Sequence, residues 1–264
     1  MGSTVYSHEY KLSRALQHLE ECKRILERWV DLNAKSIPFR DKSEATAQGT
    51  RYIIYWEPIE ELPVVELGLL VGDFLHNLRS ALDHLAYELA AAHTKPLPSK
   101  VIETSEFPIF WRGPMDTGQE RSRIGCIHPD AARLIKAIQP HHKGSRYTED
   151  PLWILNELER IDKHRTLHVG VHELTQNDIV GTNMGILSFT GMSATERLKK
   201  GAKMAEFVAR RLDPNQPMHM NYRASTTVTL GPGLPLSGKP LWSSLLEIYD
   251  DVHSIAIIPL EKFL

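Results

Sequence analysis

The stretch ELGLLVGDFLHNLRSALDHLAYELA (66–90) decides the fold. Wound as a helix at about 100° per residue, it gathers Leu67, Leu70, Val71, Phe74, Leu75, Leu78, Ala81, Leu82, Leu85, Ala86 and Leu89 into one continuous apolar arc. The periodicity predicts a long helix over 64–93, closed by the prolines of KPLP (95–98). The opposite arc holds Asp73, His76, Asn77, Arg79, Ser80, Asp83, His84 and Tyr87. A solvated helix face is normally rich in Lys and Glu, which suit both helix and water. This face has no lysine, and its one glutamate, Glu88, sits at the edge. Short, hydrogen-bonding and titratable side chains of this kind are expected to meet another protein surface or to line a cleft.

A second stretch, DPLWILNELERIDKHRTLH (150–168), is complementary and predicts a helix over 150–166. Ile154, Leu155, Leu158 and Ile161 form its apolar arc, and Asp162 and Arg165 project into that same arc. Glu157, Arg160 and His164 lie beside it. A charge on a core-facing stripe has to be paired, because an unpaired buried ion is costly. Asp162 and Arg165 can pair with each other at i,i+3 or with Asp73, Arg79 or Asp83. The economical expectation is that the two helices pack through one polar network.

Working outward, residues 7–32 carry Leu12, Leu16, Leu19, Cys22, Leu26 and Trp29 at helical spacing. Residues 33–50 are expected as loop and RYIIYWEP (51–58) as a short strand. The stretch 99–128 reads as irregular, with FPIF (107–110) a short strand and WRGPMDTGQERSRIG (111–125) an exposed loop. Pro129 opens a helix over 129–139, followed by the polar connector HHKGSRYTED (141–150). Strand signals then appear where Leu167, Val169 and Val171 alternate with polar or small residues, and again at 179–189 and 218–230. Residues 193–212 suit either a helix capped by Ser193 and Glu196 or a hairpin turning at Gly201. A last helix spans 240–258. The order gives an α+β fold in one domain over 1–264. Its core is a bundle of about four helices, with a small antiparallel sheet drawn mainly from 166–230 and a closing helix that returns to the bundle.

Composition bounds the function. With 264 residues, 42% hydrophobic and 24% charged, the chain can bury a substantial core, which excludes disorder and rod-like architectures. No apolar run approaches the roughly 18 residues of a membrane span, and the opening MGSTVYSHEYKLSRALQHLEE is too polar for a signal peptide. Two cysteines, Cys22 and Cys126, are too few for a disulfide framework, so a reducing cytoplasm and no membrane partner are expected. A net charge of −2 gives no global attraction to nucleic acid. Locally, residues 112–147 contain seven Lys/Arg against three Asp/Glu, and 196–211 six against two. Both read as solvated basic stretches, with a phosphate-contacting patch as the alternative.

Three chemistries fit the polar face. Arg79 and His84 are spaced R-x4-H within a strong helix, which resembles the signature of higher-eukaryote-and-prokaryote nucleotide-binding (HEPN) domains. That resemblance, confined to residues 65–92, implies a helical, metal-independent ribonuclease that needs no cofactor and takes RNA as its partner. By it, Arg79 holds the scissile phosphate and His84 moves the proton of a ribose 2′-hydroxyl. Asp83, His164 and Arg165 then orient or balance them, and Asp73, His76, Asn77, Ser80 and Asp162 contact substrate. Residue 80 is Ser where the family usually carries Asn, Asp or His. Arg79 and His84 lie about 140° apart on a straight helix, so they converge on one phosphate only across a homodimer or a kink.

The second reading is a metal centre. Asp73-x2-His76 puts two ligands on one helical face, with His164 opposite, loosely similar to the three-histidine sites of DinB-type proteins. The third is a non-catalytic module in which Asp, His, Asn and Arg fix helix packing or bind a ligand. Cys126 near His128, the His141–His142 pair and the glycines 181, 185 and 191 match no nucleophile, ligand or phosphate-loop pattern. Trp56, Trp111, Trp153 and Trp242 read as core or interface aromatics.

Overall fold

A computed structural model of the chain describes residues 6–34, 39–191 and 199–264. In order, the elements are α1 (Ser7–Ala34), β1 (Phe39–Thr46), β2 (Gly49–Trp56), α2 (Val64–His93), α3 (Ser99–Thr104), α4 (Thr117–Arg123), α5 (Pro129–Ala137), a 3-10 stretch (Pro140–Glu149) and α6 (Pro151–Asp162). They continue with β3 (Val169–Thr182), β4 (Met184–Gly191), β5 (Lys203–Arg211), β6 (His219–Leu230), α7 (Leu241–Val252), a π-helical turn (His253–Ile257) and α8 (Ile258–Glu261). The fold is α+β. No described helix is long and apolar enough to cross a membrane.

The chain forms two compact units, each assembled from separated segments. The first takes Met1–Cys22, Glu66–Leu167 and Trp242–Leu264. Its core follows the predicted arc of α2: Leu67, Val71, Phe74, Leu75, Leu78, Leu82, Leu85 and Leu89 are all buried. Each such side chain contributes about 1.5–3 kcal/mol by leaving water. Leu12, Ala15 and Leu19 of α1, Leu152, Leu155 and Leu158 of α6, and Leu245, Ile248 and Val252 of α7 complete it. Leu16, expected on the buried side of α1, is exposed, and Ala15 takes the inward position. The closing helix belongs to this unit, where Phe263 stacks on His128 at 5.4 Å.

Helices outnumber the four expected. Both α3 and α4 lie in 99–128, which had read as irregular. The start of α4 is a capping box: Asp116 accepts from the Gln119 amide at 2.8 Å and Gln119 Oε1 from the Asp116 amide at 2.9 Å. The preceding Gly and Pro hid that signal. FPIF is not a strand. The Phe107 amide and carbonyl bond to Asp83 and Arg79, and the Phe110 amide and Pro108 carbonyl bond to Gln139, so side chains rather than a neighbouring strand satisfy this backbone. The connector after α5 is a 3-10 stretch interrupted at Gly144, whose φ is 56°.

The second unit takes Lys23–Val65 and His168–Leu241 and holds the strands. A four-stranded antiparallel sheet has the order β1-β2-β5-β4, and β3 pairs with β6 in a two-stranded sheet. Among the described residues, β3–β6 come from 166–230 and β2 covers most of the expected strand 51–58, while β1 is the strand that was not expected. β1 had read as loop because it is an edge strand of sequence FRDKSEAT, exposed along nearly its whole length, so no apolar alternation marks it. Inside the sheet, Tyr52 opposes Phe207 in register and stacks on it at 5.2 Å. The expected strand 179–189 is divided at Asn183, whose φ of 55° separates β3 from β4. Its amide side chain holds the turn, donating to Asp213 O and Gln216 O and accepting from the Asp213 amide. Of the two readings of 193–212, the described part forms β5 after a turn at Gly201. The Ser193–Glu196 capping box lies outside the described residues.

Candidate functional site

The polar face of α2 does not face a single environment. Arg79 is buried, with 5% of its surface exposed, whereas Asp73 and His76 are exposed and Asn77, Ser80, Asp83 and His84 are half-buried. Arg79 organises the buried part. Its Nη1 donates to Asp83 Oδ1, and its Nη2 donates to Phe107 O at 2.9 Å and to Glu106 Oε1 at 3.3 Å. Asp83 Oδ1 also accepts from the Phe107 amide at 2.8 Å, so the pair pins the 105–110 segment onto α2. Burial holds the Asp83 carboxyl above its ordinary value and Glu106 adds to this. The Arg79 guanidinium and the Phe107 N–H act in the opposite direction without overcoming it.

Beside this pair lies a cleft of about 430 Å³, walled by α2, α6 and the segment after α3. Its charges alternate in sign. Arg123 pairs with Glu106, and Lys163 Nζ pairs with Glu159 Oε1 at 2.8 Å. Glu159 is buried, and its Oε1 lies 3.6 Å from His76 Nδ1. Sequence reasoning missed Glu106, Arg123, Glu159 and Lys163. Glu159 was findable: four residues after Leu155 and one after Leu158, it lies on the buried side of α6. Glu106 and Arg123 sit in the stretch read as irregular, where no periodicity reports on burial.

Asp162 closes the far end of α6 against α2. Gly72 makes room for it, since a methyl group there would strike its carboxylate, and one at Gly68 would come within 2.7 Å of Leu167 O. Neither Arg79, Asp83 nor Arg165 pairs with it, contrary to expectation. Its neighbours are mostly acidic: burial, Asp73 and Glu159 raise its pKa, and His76 opposes them. The helix ends at Asp162, leaving His164 and Arg165 in an exposed turn where the extended 150–166 helix had placed them on its faces. The set Asp73, His76 and His164 therefore does not assemble. Among the described residues, no three His, Cys, Asp or Glu side chains converge as a metal requires. Asn77 bonds back to its own helix at Asp73 O, 2.8 Å away.

His84 serves a different cluster. Its Nδ1 lies 2.9 Å from Ser7 Oγ, which donates to Glu88 Oε1 at 2.5 Å. Glu88 also accepts from the Ser7 and His8 amides at the start of α1 and bonds His8 Nδ1. His8, fully buried, reaches Glu261 Oε1 at 2.9 Å through its other ring nitrogen. A carboxylate at a helix N-terminus satisfies free N–H groups and meets the positive end of the dipole. The structure thus separates Arg79 and His84 by partner as well as by helical phase. Cys22 is equally remote from chemistry: burial pushes its thiol up to about 12. No protein-family model, curated protein or solved structure matches the chain.

Proposed function

We propose that this protein is a non-catalytic binding module, in which the α2 network is a structural strut and the charged cleft beside it is the recognition surface. One observation carries the reading: both terminal nitrogens of Arg79 are already committed to Asp83, Glu106 and Phe107 O. A phosphate clamp needs a guanidinium with donors to spare. His84 bonds Ser7 instead of facing the same space. The cleft offers paired cations and carboxylates, a surface suited to a polar ligand that can exchange one partner for another. Two free cysteines accord with a reducing compartment such as the cytoplasm.

The test is RNA cleavage in excess EDTA by the unaltered chain and by His84→Ala, alongside thermal melts of Asp83→Ala. Neither chain is expected to cleave above background. Asp83→Ala, which takes one carboxylate partner from the buried guanidinium and the acceptor from the Phe107 amide, is expected to lose about 1–3 kcal/mol. Cleavage by the unaltered chain that disappears in a folded His84→Ala overturns the proposal in favour of the HEPN-like ribonuclease, with RNA as partner and a homodimer supplying the converging pair.

A further inference from the structure

The basic stretch 112–147 folds into a feature that the strut and its cleft do not use. α4 and α5, with the turn Ile124–His128 between them, enclose a groove of about 410 Å³. Buried Ile124 and Ile127 form its floor, and Pro129 and Ala132 extend the apolar lining outward. Arg121, Arg133 and Lys136 stand at its rim, with Glu120 the one carboxylate lining it. Lys136 pairs with Glu120 at 2.7 Å, and Arg133 pairs with Asp130 on its own helix. Arg121 is exposed and forms no ion pair among the described residues.

We infer that this groove docks an acidic peptide segment of another protein, seating one apolar side chain on the floor and carboxylates against Arg121, Arg133 and Lys136. Charge complementarity sets the sign of the partner: Glu120 and Asp130 balance Lys136 and Arg133, and Arg121 is left as the surplus positive charge with no competitor to displace. The floor sets its class. Single-stranded nucleic acid is held by aromatic side chains on which bases stack, and no aromatic residue lines this groove. Aliphatic side chains flanked by cations instead match an amphipathic peptide with an apolar anchor and acidic neighbours.

The test is fluorescence anisotropy with a labelled peptide pool in which a single Leu, Ile or Phe is flanked by Asp and Glu. A second pool carries Asn and Gln at the flanking positions. The acidic pool is expected to bind and to weaken as salt is raised, and the amide pool to stay free. Arg121→Glu is expected to weaken binding and to flatten its dependence on salt, as the loss of a rim charge does. Arg121 makes no side-chain bond among the described residues, so this variant keeps the fold, which circular dichroism checks. Equal binding of the two pools, no binding of either, or affinity unchanged by Arg121→Glu overturns the inference. So does preferential binding of a labelled single-stranded oligoribonucleotide, which would assign the groove to nucleic acid.

Discussion

Asp162 is a carboxylate held where carboxylates are disfavoured. Its pKa is raised by burial first and then by Asp73 and Glu159. A carboxyl whose folded pKa exceeds its unfolded one gives most stability below the unfolded value and loses it as pH climbs through the folded value. Asp162→Asn keeps the shape beside Gly72 and removes the charge. The variant is expected to melt above the unaltered chain at neutral pH, with the difference shrinking to nothing once pH falls below the ordinary carboxyl value of 3.8. A melting advantage independent of pH would show that the carboxylate's charge is irrelevant. Asp83 shares the direction of shift but not the consequence of removal. Its oxygen is the acceptor for Arg79 and Phe107, so deletion leaves two buried donors without it.

At the scale of elements, α2 shows what periodicity can and cannot report. Its apolar arc, length and closing prolines were legible because burial of a helix stripe writes a repeat directly into sequence. The partners of the polar arc were not. Arg79 and Asp83 stand out on the lysine-free arc and bond each other one turn apart, yet their remaining bonds run to the backbone of Phe107 and to Glu106, which carry no phase signal. The approach of the 162–167 segment to α2 was written in Gly68 and Gly72, four residues apart, a spacing the apolar reading passed over. Gly68→Ala tests it. In a free helix the change gains about 1 kcal/mol from propensity. Here the added methyl group would sit 2.7 Å from Leu167 O, a backbone atom that cannot swing aside. Overpacking of this kind costs about 1–3 kcal/mol, so a net loss near 1 kcal/mol is expected in a denaturant melt. A gain would mean that the 162–167 segment yields without cost. The strands tell a parallel story: β2 and β6 advertise themselves through β-branched and aromatic residues, whereas the charged edge strand β1 does not.

Across the whole molecule, the first unit is held together at a junction of three distant pieces of chain. Glu88 of α2 accepts from Ser7 and His8, and His8 passes the connection to Glu261. Glu88→Ala removes the acceptor for all of these donors at once and is expected to lower stability by about 2–4 kcal/mol. Hydrogen exchange should then rise over 7–22 and 242–264 together. Faster exchange confined to α1 would show that His8 and Glu261 do not transmit the link. None of this was visible in sequence, since the partners lie 80 and 253 positions apart.

The same segment order has a consequence during synthesis. Every residue of the second unit lies within 23–241, but the first unit also requires 242–264. A ribosome working from the N-terminal end therefore delivers all the strands before Leu245, Ile248 and Val252, although α2 has long since emerged. Through that interval the first unit lacks the buried side chains that α7 brings to its core. The nascent chain passes through a stage at which its strand-bearing half has everything it needs and its helical half still offers a sticky surface to whatever attends the exit tunnel.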